Sequence, residues 1–332
     1  MTELTVIPYS PDHRARWDSF VAASKNGTFL FQRGFMEYHA DRFTDASVLV
    51  TGTDERLLAV FPANLSGDRL VSHGGLSYGG MVSDQSMTGP LALSVFAAWF
   101  RYFQYQGIKQ LIYKQVPHIY HRMPADEDRY ALFYHGATIH RRDMTQTVEL
   151  AAQGPMQERR RRGAKKAAKA GLVVRETDAI EAFWDILAEN LASRHQLRPV
   201  HSPAELRLLQ NRFPRNVRLF GVYECEILRA GTLLFCCGQT VHAQYITSSE
   251  PARMIGALDL LFSTLLDLFR TQARYFDFGN SNENEGRYLN MGLTEFKEGF
   301  GARAIVQDFY TLDLTCWDEV PNEARKESEH RS

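Results

Sequence analysis

The residues best placed to do chemistry lie in the last third of the chain. Phe276-Asp277-Phe278-Gly279 is a strand-like apolar run broken by one acid, and it opens into a dense polar loop, Asn280-Ser281-Asn282-Glu283-Asn284-Glu285-Gly286. Loops at strand ends on a rigid scaffold are where substrates are usually met. Asp277 alternates with two phenylalanines, so on a strand its side chain faces away from theirs. Burial there would raise its pKa towards a range useful for proton transfer. The same carboxylate could instead anchor the 280–284 loop, with Asn280 and Asn282 facing a substrate. Lys297 follows within Phe296-Lys297-Glu298-Gly299-Phe300-Gly301. A fixed ammonium suits a reaction in which an amine attacks an ester or thioester. The oxyanion that forms is stabilised by a neighbouring donor, an effect of roughly two to three powers of ten in rate. On that reading, loss of Lys297 should lower turnover and leave folding intact. A solvated lysine at a helix end is the plain alternative. His242 and Glu295 are further candidate bases, since an incoming ammonium must lose a proton. Backbone amides of residues 244–247, Tyr245 among them, could hold a carbonyl without any side chain.

These groups need a scaffold, and the sequence supplies it in strand–loop–helix order. A strand at 241–248 leads through a loop at 249–256 into a helix from about 257 to 272. Leu258, Leu261, Leu265 and Phe269 share one face of that helix, and a strand at 274–279 follows. Upstream, Asp178 and Glu181 form a capping box for a helix with Ile180, Trp184, Leu187 and Leu191 on one face. Ser202-Pro203 starts another helix, and strands read at 217–224 and 231–237. The first half runs on a similar plan. Ser10-Pro11 opens a helix carrying Trp17, Phe20 and Val21, and strands read at 46–51, 56–62 and 68–72. A glycine-rich turn at 73–80 then leads to a helix at about 90–106, stopped by Gly107, and a strand at 109–116. The repetition implies two domains of similar fold, at 1–155 and 156–316, with a polar tail at 317–332. Between them runs Arg159-Arg160-Arg161-Arg162-Gly163-Ala164-Lys165-Lys166-Ala167-Ala168-Lys169. This run is either a solvated helix of good helix formers or a surface for tRNA or another phosphate-bearing ligand.

Two segments resemble known families. Arg253-Met254-Ile255-Gly256-Ala257-Leu258 is similar to the R/Q-x-x-G-x-G/A turn of GNAT acyltransferases, although Leu258 stands where that pattern has a small residue. The resemblance implies that Arg253, Gly256 and Ala257 seat a donor pyrophosphate on a helix N-terminus. A tight turn at Gly256 is the alternative. Phe296-Lys297-Glu298-Gly299-Phe300-Gly301 resembles the F-K-x-G-F-G signature of FemAB-like peptidyltransferases. The basic segment ending Ala167-Ala168-Lys169-Ala170-Gly171 and Phe276-Asp277-Phe278-Gly279 agree with it in order. That family implies an α/β (α+β) chain of two tandem GNAT-like domains, each a mixed sheet flanked by helices, with an interdomain cleft. It implies transfer of an acyl or aminoacyl group, from acyl-CoA or aminoacyl-tRNA as co-substrate, to an amine of a cell-wall or surface-polysaccharide precursor. Lys297 would contact the acyl carbonyl, and the 73–80 turn, Tyr78 included, would receive the acceptor unless it is only a strand connection. The chain lacks the long helical arm that some members use with tRNA. Residues 114–124, Lys-Gln-Val-Pro-His-Ile-Tyr-His-Arg-Met-Pro, resemble instead a GNAT-like branch of bacterial polysaccharide loci. Tyr38, His39, His118, Tyr120 and His121 stand out by type only. A GNAT-fold binding module without catalysis, recruiting nucleotide-linked precursors or RNA, is the rival reading.

Composition narrows the field. The 332 residues are 44% hydrophobic and 23% charged with a net charge of −1, so no whole-protein field favours nucleic acid or membrane. Cys225, Cys236, Cys237 and Cys316 have neither zinc-ligand nor disulfide-framework spacing, so no metal and no tightly bound cofactor is expected. P-loop and H-E-x-x-H motifs are missing. The residues before Trp17 do not read as a signal peptide. The most apolar stretch, 258–269, is short for a bilayer and carries Asp259 and Asp267. A cytoplasmic protein is expected.

Overall fold

The computed structural model describes residues 4–195 and 200–318; the expected polar tail lies outside them from 319 onwards. In chain order the elements are β1 (Thr5–Pro8), α1 (Arg14–Ala23), α2 (Arg33–Met36), β2 (Thr44–Asp45), β3 (Val48–Thr51), β4 (Leu57–Phe61), β5 (Asn64–Ser66), β6 (Arg69–Val71), β7 (Val82–Ser83), α3 (Gly89–Tyr105), β8 (Gln110–Lys114), α4 (Glu127–Tyr134) and β9 (Thr138–Glu149). They continue as α5 (Glu158–Lys169), β10 (Leu172–Thr177), α6 (Ile180–His195), α7 (Pro203–Arg212), β11 (Val217–Glu224), β12 (Ile227–Cys237), β13 (Thr240–Ser248), α8 (Glu250–Met254), α9 (Ala257–Phe269), β14 (Tyr275–Asn280), β15 (Asn282–Glu283), β16 (Tyr288–Leu289), α10 (Met291–Glu298) and β17 (Arg303–Asp313).

The chain forms two compact units that interleave, where a single division near residue 155 was expected. Unit 1 holds residues up to 118, 123–141 and those from 308 on, while unit 2 holds 119–122 and 142–307. Strand pairing accounts for the difference. Residues 145–149 of β9 pair with β14 in unit 2, and residues 309–313 of β17 pair with β8 in unit 1.

In unit 1, β1, β3, β4 and β7 form an antiparallel sheet, and β2, β5, β6 and β8 line up beside the end of β17. Helix α3 starts where Thr88 Oγ1 accepts the amide of Leu91 and a proline stands in the first turn. Its apolar face buries Phe96, Trp99 and Phe100 completely, with Phe61 stacked on Trp99 at 4.1 Å between ring centroids. Each such side chain contributes about 1.5–3 kcal/mol by leaving water.

In unit 2 the strand order is β10-β11-β12-β13-β14-β9, antiparallel except for the parallel pair β13 and β14. Helix α9 buries Leu261, Phe262, Leu265, Leu266 and Phe269 in a core shared with Phe276, Phe278 and Phe300. The α7 cap follows the sequence, with Ser202 and Glu205 completing a capping box. At α6 the expected box is replaced, because the Glu181 carboxylate is held by Arg207, Nε to Oε1 at 3.0 Å.

Helix α5 is the larger correction. The basic run is neither linker nor freely solvated helix, since its Ala164 and Ala167 are buried in unit 2. Arg160 pairs with Asp259 at 2.9 Å with its side chain only 16% exposed, and its guanidinium sits 4.6 Å from the centre of the Phe296 ring. The helix lies against the start of α9. A Cβ on Gly256, whose φ is +89°, would fall 2.5 Å from the carbonyl oxygen of Gly163. Gly256→Ala therefore meets both a disfavoured backbone conformation and a backbone clash. A loss of about 1–3 kcal/mol is expected, read as a lowered midpoint of thermal unfolding; an unchanged midpoint would refute this packing.

Candidate active site

The candidate site forms in unit 2 where β13 and β14 part. The strands are paired through Thr240–Tyr275, Val241–Phe276 and His242–Asp277. An irregularity then turns each of them: β13 opposite Leu233 and Leu234, β14 between Asp277 and Asn280. Such bulges re-aim side chains at strand ends. The last paired residues, His242 and Asp277, thereby meet on one face.

Asp277 is 2% exposed and accepts five hydrogen bonds. Oδ1 takes the Thr145 hydroxyl, the Thr147 hydroxyl at 3.1 Å and the Gly279 amide at 3.1 Å. Oδ2 takes the Tyr120 hydroxyl at 2.7 Å and faces Nδ1 of His242 at 2.8 Å. Burial pushes the carboxyl up, but the bonds from His242, Thr145 and Tyr120 outweigh it and hold the pKa at about 2. The sequence expectation of a raised pKa is thus reversed, and a carboxylate so held is a poor proton acceptor. It also fixes the 279–280 backbone, as the anchoring alternative required.

Lys297 is 2% exposed, so the solvated helix-end alternative fails. Its Nζ donates to the carbonyls of Gly279 and Asn280, both at 2.7 Å, leaving one of its three N–H donors. Burial lowers its pKa to about 8, against the opposing pull of Asp277. The flanking motif explains the placement. Phe296 and Phe300 pack on Phe262 of α9 at 6.1 and 5.5 Å, which turns the lysine between them towards β14. Asn290 caps α10 by accepting the Leu293 amide at 3.0 Å. The ammonium holds carbonyls where the loop leaves the strand, so folding also depends on it, contrary to the expectation from sequence.

Other candidates are placed differently. Asn280 is exposed and its Nδ2 bonds Asp143 at 2.9 Å. Asn282 ties the loop to Met144 N at 2.5 Å and Gly286 O at 3.2 Å. Glu295 is exposed and paired with Arg159 at 2.9 Å. The Tyr245 hydroxyl meets His201 Nδ1 at 2.6 Å, and burial pushes it up to about 12. Arg253 is turned onto Asn190 Oδ1 and Ser248 O, both at 3.0 Å. Ala257 is fully buried, and Gly256 is covered by Gly163. The turn that resembles a pyrophosphate seat is therefore filled by α5. In unit 1, Tyr78 is 3% exposed, bonds Thr28 Oγ1 at 3.0 Å and packs on Phe31; it is a core residue with no face left for an acceptor. The 73–80 turn is likewise packed, since a Cβ on Gly75 would overlap His39 and Lys114 donates to the Leu76 carbonyl.

Tyr120, Thr145 and Thr147 were not singled out for the site. The alternation Thr145-Gln146-Thr147 on a strand was the available signal for the threonines. Among the described residues no cluster of His, Cys, Asp or Glu suits a metal, and no helix is long and apolar enough to cross a membrane.

With this geometry in hand, comparison with known proteins is informative. Residues 156–297, from the approach to α5 through Lys297, match the acetyltransferase (GNAT) domain family. The structure is similar to that of FemX, with a TM-score of 0.65 at 14% identity over 92% of this chain and 96% of that one. The chain has the fold of FemX, and its residues 156–297 are similar to the GNAT domain. L-PGS from Bacillus licheniformis is similar at TM-score 0.61 and 11% identity, covering 91% of each chain. A tandem GNAT protein from the clavulanic acid biosynthesis pathway is similar at 0.50 and 13%, covering 95% of this chain and all of that one. No curated protein matches in sequence.

Proposed function

We propose that this protein is an amine N-acyltransferase whose reaction centre is the parting of β13 and β14. The observation that carries the proposal is the buried ammonium of Lys297, held on the carbonyls of Gly279 and Asn280 at the mouth of that splay. A cation already positioned costs no reorganisation when an acyl carbonyl becomes an oxyanion. The acceptor is the amine of a cell-wall or surface-polysaccharide precursor, with exposed Asn280 a contact for it. The donor is an aminoacyl ester on tRNA. Acyl-CoA fits less well, because backbone of α5 occupies the turn at Gly256 where a pyrophosphate would lie.

Incubation with labelled acetyl-CoA, and separately with aminoacyl-tRNA, with hydroxylamine and amine-bearing cell-wall precursors as acceptors, tests both parts. Transfer from the aminoacyl ester is expected. Transfer from acetyl-CoA alone would overturn the donor assignment. Transfer from neither would overturn catalysis in favour of a GNAT-fold binding module.

The exposed face of α5 supports the tRNA reading. Arg162, Lys165 and Lys169 are exposed and follow the i, i+3, i+7 spacing of one helix face. Replacing all three with glutamine should weaken binding to every tRNA species alike. It should also flatten the salt dependence, by about 0.9 in log–log slope for each phosphate no longer neutralised. Arg160→Ala should instead lower thermal stability, through the Asp259 pair. An unchanged salt slope in the triple variant would reduce α5 to a structural helix.

A further inference from the structure

We propose that His242 is the proton acceptor of the transfer reaction, acting through Nε2, and that Asp277 and Tyr120 are the residues that position it. The proposal rests on the acyl-transfer reading above and supplies the base that reading lacks.

The tautomer follows from the partners. Asp277 Oδ2, 2.8 Å from Nδ1, belongs to a carboxylate kept ionised by its hydrogen bonds, so Nδ1 carries the proton and donates it. The basic lone pair is then on Nε2, for which the described residues provide no hydrogen-bond partner. The Tyr120 hydroxyl lies 2.7 Å from the same Oδ2 and 3.2 Å from Nδ1. It therefore braces the carboxylate and the ring together. Asp277 in turn cannot swing away, because Thr145, Thr147 and the Gly279 amide hold its other oxygen. The ring is 15% exposed, enough to reach a substrate from a fixed seat.

Gly279 connects this imidazole to Lys297. A Cβ at position 279 would stand 3.2 Å from His242 Cε1 and 3.9 Å from Nε2. With glycine there, the basic edge of the ring stays open. The carbonyl of that same residue accepts Lys297 Nζ at 2.7 Å. Base and ammonium thus flank one residue, on the side where the strands part. Among the described residues, the titratable groups bonded to the ring are Asp277 from β14 and Tyr120 from the 118–120 turn, with Lys297 of α10 behind the Gly279 carbonyl.

The step balances without any oxidant. The amine lone pair forms the new N–C bond, and the carbonyl π pair moves to oxygen beside Lys297. The N–H proton passes to His242 Nε2. Collapse restores the carbonyl and breaks the donor C–O bond. The leaving oxygen takes the proton back from the imidazolium, giving an amide and a free hydroxyl.

The test is the pH profile of kcat/KM with aminoacyl-tRNA as donor and a fixed amine acceptor. His242→Gln can keep a donor to Asp277 but offers no basic nitrogen. It should lose about a hundredfold or more together with the acidic limb of the profile. His242→Ala should fall similarly and recover in part with added imidazole, which a merely structural role would not produce. Tyr120→Phe should move the acidic limb to higher pH, because a carboxylate freed of one donor holds the imidazolium more strongly. An unchanged profile in His242→Gln, with wild-type transfer intact, would overturn this proposal alone. Absence of transfer by the wild-type protein from any donor would instead overturn the reading beneath it.

Discussion

Lys297→Met should lower kcat by about a hundredfold or more while leaving KM for the acceptor within a few-fold. The interaction removed forms with the oxyanion of the transition state and only weakly with the ground-state carbonyl. Methionine fills similar volume, so the packing of α10 on α9 survives. The carbonyls of Gly279 and Asn280 lose their donor, however, at about 1–3 kcal/mol for a buried group left unmade. Lys297→Arg should rescue poorly, since a planar guanidinium cannot replace a compact ammonium between two carbonyls. The pH dependence adds a second readout. With a folded pKa of about 8 against an ordinary 10.5, the cation disappears from the folded protein as pH rises through 8, and transfer should fall there. Stability runs the other way. Between 8 and 10.5 the unfolded chain holds the proton and the folded one does not, so this group makes folding more favourable as pH rises. Steady-state rates and denaturant midpoints from pH 7 to 10 check both trends. Near-normal turnover by Lys297→Met would exclude Lys297 from the chemistry.

Asp277→Ala should cost about 3 kcal/mol or more, the largest stability effect expected from a single site residue. It strands two threonine hydroxyls, the Tyr120 hydroxyl, the Gly279 amide and His242 Nδ1 in a buried pocket. Acid unfolding provides the signed test. The folded pKa of about 2 lies below the ordinary 3.8. The stabilisation it brings, about 2 kcal/mol, is therefore complete above pH 3.8 and lost as pH falls through 2. Asp277→Asn should remove that part of the acid transition. Identical acid-unfolding slopes in wild type and Asp277→Asn would show that the carboxylate is not held as described.

Apolar periodicity carried the scaffold well. Residues 217–224 read as a strand and are β11, and the helix expected from 257 begins at Ala257. The same reasoning passed over β9, whose inner half buries Thr145, Gln146 and Thr147, because a pattern rule treats polar residues as outward-facing. The site was legible in residue type but not in role. Lys297 stood out through its motif, yet its acceptors are main-chain carbonyls 17 and 18 residues upstream, which leave no mark on side-chain sequence. Asp277 read as a base or a loop anchor, and the choice stayed open because burial was foreseeable and its five donors were not. Four consecutive arginines read as one run, solvated or facing an anion, whereas Arg160 is claimed by Asp259, 99 residues away. Contacts of that separation are set by tertiary packing and are invisible to local spacing.

The interleaving of the two units has a consequence for how the molecule is made. Residues of unit 1 are synthesised first, yet β8 acquires its β17 partner only with residues 309–313, and Tyr310, Leu312, Leu314 and Trp317 complete that unit's core. Unit 2 has all its residues by position 307. During vectorial synthesis the later unit can close first, while the earlier one waits with an open sheet edge and an unfilled core. No single cut in the chain yields both units whole.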